Sequence, residues 1–235
     1  MHIWGLLMIH IKKLTKTYGS KTILKDFQYT FYNHQIYGLI GRNGIGKTTF
    51  MKCMCGLECP DAIQIETEEG DVSLRDYLDR DIYYVSDEPV YYNDLTMREH
   101  LWLICKVEGY KKEEATKAIH ALTEQYQMEE YMDFYPSAMS KGTLQRMMLI
   151  IAFLKKTKNI LLDEPFNGLD PIQLKHSLEI CEKYRHNRCI IISSHDLESL
   201  EEICDRCLVF TKDGLKEVAN VERESINQMI GESYE

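Results

Sequence analysis

No stretch of this 235-residue sequence stays apolar for the roughly 20 residues that a membrane-spanning helix requires. The longest apolar run near the start, residues 3–9, is far shorter, and it has neither a basic segment before it nor a small-residue cleavage site after it. We therefore expect the chain to stay in the cytoplasm and to reach a membrane only through a partner.

The sequence also has no block rich in lysine and arginine. It carries 28 basic against 37 acidic residues, which gives a formal net charge of −9. Because the neutralisation of phosphates by basic side chains dominates affinity for nucleic acids, this balance argues against general nucleic-acid binding. A local basic patch that binds nucleic acid stays as an alternative.

The eight cysteines have no histidine cluster beside them. The pairs Cys53-x-Cys55 and Cys204-x-x-Cys207 are the two spacings that raise the question of metal binding. A disulfide framework is typical of small secreted proteins, and this chain has neither property. The favoured interpretation is a set of buried, reduced thiols.

Internal repeats, low-complexity segments and long linkers are also missing, so residues 1–235 are expected to form a single domain. The first forty residues alternate as antiparallel strands do. Helical spacing follows over Met97–Val107 and Lys111–Tyr126, within a helical segment of about residues 93–145. The unbroken apolar runs Asn159–Asp163 and Cys189–Ser193 alternate with helices, which predicts an α/β fold with a mainly parallel sheet.

A phosphate-binding loop lies between the strand-like run Gln35–Ile40 and a predicted helix. It matches the pattern G-x-x-x-x-G-K-[ST] at every fixed position, in the strand–loop–helix setting that this loop requires. The predicted nucleotide-binding residues are Gly41, Arg42, Asn43, Gly44, Ile45, Gly46, Lys47, Thr48 and Thr49.

The chemistry of a bound triphosphate explains this spacing. The glycines let successive backbone N–H groups turn toward phosphate oxygens, and the following helix N-terminus adds partial positive charge. Lys47 supplies a cation for the β and γ phosphates, while the Thr48 hydroxyl is placed to ligate Mg²⁺. The sequence therefore predicts nucleoside triphosphate binding.

Two carboxylates, Asp163 and Glu164, end a predicted buried strand and precede Pro165. Ligands of α/β proteins bind at the carboxyl ends of the parallel strands, so both acids are expected at the nucleotide. Asp163 is predicted to hold Mg²⁺, and Glu164 to orient or deprotonate an attacking water. The alternative, a solvated pair of surface acids, loses weight because a phosphate loop lies upstream.

Six motifs resemble those of the ATP-binding subunit of an ATP-binding cassette (ABC) transporter, and they follow each other in the family's order. The likeness covers nearly the whole chain. They are Thr17-Tyr18-Gly19, the phosphate loop, the signature-like Met139–Arg146, Leu161–Pro165, Asn167–Asp170 and Ser194-His195-Asp196. The resemblance implies that Tyr18 stacks on adenine, that His195 contacts the γ-phosphate and supports the water, and that Asp170 belongs to the D-loop. Alone, His195 would read as a structural histidine and Ser140 as a helix cap.

The resemblance also implies an architecture and a mechanism. The expected fold is a P-loop NTPase core with an N-terminal antiparallel β subdomain and an inserted α-helical subdomain. The expected activity is ATP hydrolysis with Mg²⁺. Two subunits, either two copies of this chain or this chain and a different ABC subunit, would dimerise head to tail. Ser140, Lys141 and Gly142 of one subunit would then contact the ATP of the other.

The implied partner is an integral membrane permease, which would hold the chain on the inner face of the cell membrane. Tyr91, Tyr92 and Trp102 lie in the stretch expected to form its docking groove, although Trp102 also reads as a core residue. The resemblance favours an exporter. A soluble cassette ATPase acting on ribosomes or DNA, and a regulatory or immunity module with weak hydrolysis, stay as alternatives.

Three positions depart from the family pattern. Lys141 stands where the signature usually has the first of two glycines, and Thr143 replaces the usual glutamine. Asp87 stands where the family's Q-loop usually has glutamine. A carboxylate at position 87 can still reach Mg²⁺ directly or through water, so Asp87 joins Thr48 and Asp163 as a predicted metal residue.

Overall fold

The computed structural model describes residues 7–67, 70–72, 82–186, 188–211, 214–218 and 226. Its strands are β1 (Leu7–Tyr18), β2 (Lys21–Tyr32), β3 (Gln35–Ile40), β4 (Ala62–Thr67), β5 (Gly70–Val72), β6 (Ile82–Val85), β7 (Asn159–Asp163), β8 (Cys189–Ser194), β9 (Arg206–Thr211) and β10 (Gly214–Val218). Its helices are α1 (Lys47–Met54), α2 (Met97–Val107), α3 (Lys112–Gln125), α4 (Lys141–Leu154), α5 (Pro171–Tyr184) and α6 (Leu197–Ile203).

Within the described ranges, these strands form two sheets. The first has the order β2-β1-β4-β5 and is antiparallel at each pairing. The second has the order β10-β9-β3-β8-β7-β6; β3 is parallel to both β8 and β9, β7 is parallel to β8, and β10 is antiparallel to β9. The predicted α/β class, with an antiparallel N-terminal sheet and a mainly parallel second sheet, is confirmed.

The chain divides into two compact units. The core unit contains residues 1–84, 157–163 and 185–235, and the helical unit contains residues 85–156 and 164–184. The helical segment expected at about residues 93–145 falls inside the helical unit, while the single-domain organisation stays a prediction.

The core unit is organised around a cluster of aromatic side chains. Phe31 packs edge-on against Tyr37 with 4.9 Å between ring centroids, and Phe27 packs edge-on against Phe50 at 5.6 Å. The alternation predicted for β2 explains this arrangement, because Phe27 and Phe31 fall on the same face of the strand. Every residue of β7 and β8 is buried, as the unbroken apolar runs predicted.

In the helical unit, the predicted helix Met97–Val107 is confirmed as α2. Thr96 caps it: its hydroxyl accepts from the Glu99 backbone N–H, and the Glu99 carboxylate accepts from the Thr96 N–H. The helix predicted over Lys111–Tyr126 is α3, one residue shorter at each end. Two 3₁₀ turns, Glu129–Tyr131 and Pro136–Ala138, lead to α4, which is buried along almost its whole length.

Candidate functional site

The phosphate loop connects β3 to α1 in the core unit. Gly46 has φ 135°, and a Cβ at this position would lie 2.4 Å from Cγ2 of Ile23. Gly44 has φ 73° with open space around it. Both backbone conformations favour glycine, so the glycines set the course of the loop in the way that a phosphate cradle requires.

Lys47 and Thr48 open helix α1. Gly46 is the N-cap and supplies no side chain to the first N–H groups of the helix. The buried Lys47 ammonium donates to the Gly41 carbonyl at 2.7 Å, and Thr48 is exposed. A helix N-terminus with a lysine and a hydroxyl beside it is an anion site, because N–H groups, helix dipole and cation all favour negative charge.

The other predicted loop residues surround this cradle. Arg42 and Asn43 are exposed, whereas Ile45 and Thr49 are half-buried. The Ile45 N–H donates to the Arg42 carbonyl at 3.2 Å, which closes a turn inside the loop.

Lys21 is a neighbour of the loop that the sequence analysis missed. It is the first residue of β2, and its ammonium donates to the Gly44 carbonyl at 3.3 Å. The sequence signal was weak, because a lysine three residues after Tyr18 looks like any exposed strand residue until the hairpin brings it to the phosphate loop.

Asp163 ends β7 and is 1% exposed. Its Oδ2 accepts from the Tyr84 hydroxyl at 2.9 Å, and its Oδ1 accepts from the Ser193 hydroxyl at 2.5 Å. The carboxylate is therefore fixed by two neighbouring strands. Sequence reasoning missed Tyr84 and Ser193; the available signal was that Ser193 ends the predicted buried strand Cys189–Ser193, and the carboxyl ends of parallel strands meet at one edge of a sheet.

Three parts of the predicted site lie at one edge of the parallel strands. The order β3-β8-β7 brings the phosphate loop after β3, His195 after β8 and Asp163 at the end of β7 to the same edge. His195 is exposed, and Asp196 next to it caps α6 by accepting from the Glu198 N–H at 3.1 Å. This edge is where α/β proteins place their ligands.

The oxygen donors of this edge fit a hard divalent cation. Asp163 offers a carboxylate and Thr48 a hydroxyl, which are the ligand types that Mg²⁺ prefers. Among the described residues no group of three or more His, Cys, Asp or Glu side chains could form a metal cage. A site with few protein ligands suits Mg²⁺, which usually keeps several waters and binds substrate phosphates.

Tyr18, the predicted adenine-stacking residue, ends β1 and is 46% exposed. The Lys16 ammonium lies 4.5 Å from its ring centroid and forms an ion pair with Glu58 at 2.7 Å. This hydrogen bond raises the pKa of Lys16 and lowers the pKa of Glu58. Both groups therefore stay charged near neutral pH. The Lys16 ammonium covers one face of the Tyr18 ring, which is otherwise accessible.

Glu164, the predicted general base, follows Asp163 directly and is half-buried. Its φ is 48°, a left-handed conformation that costs a non-glycine residue about 1–3 kcal/mol. Asp26, His34 and Gln127 have similar φ values, but they lie within β2, at a turn and just after a helix, respectively. A strained acid at the end of a buried strand is typical of functional positions.

The signature-like segment opens α4 in the helical unit. Ser140 is the N-cap, and its hydroxyl accepts from the Thr143 N–H at 3.2 Å. Gly142 lies so close to Gly168 that an added Cβ would be 2.6 Å from the Gly168 carbonyl oxygen. Ser140 therefore has the predicted cap role, and Gly142 is required by packing.

The two remaining motif residues of the helical unit are acidic. The Asp170 carboxylate accepts from the N–H groups of Ile172 and Gln173, so it caps α5. Asp87 accepts from the Asn167 side-chain amide at 3.2 Å and lies 3.6 Å from the Lys141 ammonium. The structure thus joins Asp87 to both the signature-like segment and the residue three before Asp170.

All eight cysteines are free thiols. Cys53, Cys105, Cys181, Cys189 and Cys207 are buried, Cys55 and Cys204 are half-buried, and Cys59 is exposed. Burial raises the pKa of Cys53 to about 11 and that of Cys181 to about 12. In the part of the chain that the structure describes, no helix is both long and apolar enough to cross a membrane.

Comparison with known proteins gives consistent matches. A family model described as ABC transporter matches residues 24–167. The ABC-type transporter ATP-binding protein EcsA of Bacillus subtilis (strain 168) is 34% identical over 206 residues, which cover 86% of this chain and 83% of EcsA. An uncharacterised ABC transporter ATP-binding protein of Methanocaldococcus jannaschii is 31% identical over 205 residues, covering 87% of this chain and 74% of that protein.

Solved structures agree. The structure of an ATP-binding subunit of an ABC transporter superposes with a TM-score of 0.82 at 27% identity, covering 97% of this chain and 95% of that one. The fold is also shared with cbiO1 of Clostridium perfringens, part of the ABC transporter complex cbiONQ. That match has a TM-score of 0.78 at 18% identity and covers 96% and 93% of the two chains.

Proposed function

The chain belongs to the ABC transporter family as an ATP-binding subunit with ATPase activity, and from this premise we propose that it drives export through a separate membrane permease. Two subunits would pair head to tail around two ATP molecules, bind each other when ATP is bound and separate after hydrolysis. The observation that carries the ATP-hydrolysing part of the proposal is the edge β3-β8-β7, which gathers the phosphate loop, His195 and Asp163.

The phosphate loop would hold the triphosphate. Lys47 already donates to a carbonyl of its own loop, Gly41, and would exchange this partner for a phosphate oxygen. The N–H groups at the start of α1 would bind the phosphates. The exposed ring of Tyr18 would stack on the adenine.

Thr48 and Asp163 would hold Mg²⁺, whereas Asp87, the third residue that the sequence predicts for the metal, lies beside Lys141 and Asn167. The bound ion would neutralise charge on the β and γ phosphates. Tyr84 and Ser193 would keep the Asp163 carboxylate in place, because their hydroxyls engage both of its oxygens.

Glu164 would orient the attacking water and take its proton, while His195 would contact the γ-phosphate. Ser140, Lys141 and Gly142 of the second subunit would close over the same phosphate, with Asp170 in the D-loop. A dimer that closes on the γ-phosphate and opens after its loss is a two-state element of the kind that drives conformational work.

The permease would dock on the helical unit and hold the subunit at the inner face of the cell membrane. Support comes from Tyr92, which is 65% exposed, and from Trp102, which is half-buried in the wall of a cavity of about 520 Å³. Tyr91 is half-buried. Aromatic side chains of this kind often anchor interfaces.

Binding and turnover of the purified chain test the catalytic part. Lys47→Ala should abolish ATP binding, measured by titration calorimetry. Glu164→Gln should bind ATP normally and lower phosphate release by about 10²–10⁴-fold, the usual contribution of a general base. Wild-type turnover in Glu164→Gln would contradict the assigned base.

Co-purification tests the transport part. A tagged chain should bring a permease from detergent-solubilised membranes, and Tyr92→Ala combined with Trp102→Ala should lose that permease while retaining ATPase activity. The exposed substitution Thr116→Ala is the control. A chain found only in the cytosol, with no membrane protein bound, would contradict the proposal.

A further inference from the structure

Two of the three residues that depart from the family pattern contact each other. Asp87 replaces the usual glutamine and Lys141 replaces the usual glycine, and Asp87 Oδ1 lies 3.6 Å from Lys141 Nζ. Both belong to the helical unit. An acid and a base at two positions far apart in the sequence thus form one ion pair.

Two further contacts define the geometry of this pair. The Asn167 side-chain amide donates to Asp87 Oδ1 at 3.2 Å, which anchors the carboxylate. The stem of Lys141 runs along Gly168: a Cβ on Gly168 would be 3.6 Å from Lys141 Cγ and 3.7 Å from Cδ. The Lys141 side chain therefore packs along Gly168 in the D-loop segment, and its ammonium lies beside Asp87 of the same subunit.

The ion pair is too exposed to be a strong structural element. The side chains of Lys141 and Asp87 are 59% and 45% exposed, and exposed pairs change an equilibrium by at most about fivefold. A triphosphate carries several negative charges against the single charge of Asp87. It can therefore take the lysine away from the carboxylate.

We propose that Asp87 is the counter-ion that retains Lys141 within its own subunit, and that Lys141 must leave Asp87 before it can bind the triphosphate held by a second subunit. This inference rests on the head-to-tail pairing proposed above. The ion pair then sets the ATP concentration at which two subunits associate. Asp87 acts only through Lys141, so it is a positioning residue, and Asn167 holds it in place.

Pairing of subunits in the slow-turnover Glu164→Gln background tests the inference. The measurement is the Mg-ATP concentration that gives half-maximal dimer, followed by size-exclusion chromatography with light scattering. Asp87→Asn should lower this concentration by about two- to fivefold, because the lysine is no longer retained. Lys141→Ala should raise it by a similar factor.

The double variant Asp87→Asn, Lys141→Ala is the decisive control. It should behave as Lys141→Ala alone, since a counter-ion without its cation has no further effect. The inference is overturned if Asp87→Asn still changes the Mg-ATP concentration for half-maximal dimer when Lys141 is replaced by Ala. It is also overturned if Asp87→Asn changes that concentration neither with Lys141 nor with Ala at position 141. A raised concentration in Asp87→Asn would instead support the metal role of Asp87 and also overturn it.

Two readouts separate this inference from a structural effect and from the proposed function. Thermal unfolding, and binding of a fluorescent ATP analogue to the single subunit in the absence of Mg²⁺, should be unchanged in all three variants. Dimerisation that is insensitive to both residues overturns the inference alone. Complete absence of ATP-dependent dimerisation in the Glu164→Gln background overturns the head-to-tail proposal and the inference with it.

Discussion

A Cβ on Gly142 would lie 2.6 Å from the carbonyl oxygen of Gly168. Within the helical unit, the start of α4 and the segment just before Asp170 are therefore in direct backbone contact. The family signature places a glycine at position 142, and the structure gives that glycine a packing reason besides its predicted contact with phosphate.

Gly142→Ala should force α4 and the Gly168 segment apart, because a backbone carbonyl cannot move away as a flexible side chain does. Overpacking of this kind costs about 1–3 kcal/mol. We expect a lower midpoint in urea unfolding and reduced ATPase activity, with ATP binding to the phosphate loop retained. Thr116→Ala, an exposed change on α3, should stay within about 0.5 kcal/mol of the parent. Equal stability of Gly142→Ala and the parent would contradict the packing argument.

Tyr84→Phe and Ser193→Ala should each loosen Asp163. A hydrogen bond to a charged group contributes about 1.5–3 kcal/mol, and Asp163 is almost fully buried. Both variants should unfold at lower urea concentration and require more Mg²⁺ for half-maximal ATPase activity. Tyr92→Phe, which removes a hydroxyl from an exposed ring, is the matched control. Coupling between the two changes, measured by a double-mutant cycle, is expected because they share one carboxylate.

Glu164 should show a trade-off between stability and activity. Glu164→Gly removes the left-handed strain and should raise the free energy of unfolding by about 1 kcal/mol, whereas Glu164→Gln keeps the strain and should leave it unchanged. Both variants should lose turnover, since neither has the carboxylate. Chemical denaturation and phosphate release on the same preparations check the two effects separately. A Glu164→Gly chain less stable than Glu164→Ala, which also lacks the carboxylate but keeps a Cβ, would show that the backbone at this position is not strained.

The thiols should differ in reactivity according to their burial. Cys59 is exposed and should be alkylated first by iodoacetamide at pH 8, whereas Cys53 and Cys181 should remain unmodified. Their pKa values of about 11 and about 12 leave almost no thiolate at that pH, and the thiolate is the nucleophile. Mass spectrometry of the native protein identifies the modified sites. Addition of urea should expose all eight thiols, and early modification of Cys181 would contradict the described core.

Much of this molecule follows from local sequence. The strands Gln35–Ile40 and Asn159–Asp163 and the helix Met97–Val107 have the predicted bounds, because apolar runs and capping residues act over a few positions. The phosphate loop and the Asp163-Glu164 pair were recognisable for the same reason: their chemistry depends on neighbours in the chain.

The tertiary structure decided which distant residues meet. The hydroxyls on Asp163 come from Tyr84 and Ser193, the cation beside Gly44 comes from Lys21, and Asp87 meets Lys141 and Asn167. No local pattern encodes such contacts, since they depend on strand order and on how helices and loops pack. The phosphate-loop motif and the family are therefore recognisable from short stretches of sequence, whereas the partners of Asp163, Gly44 and Asp87 depend on packing between distant segments.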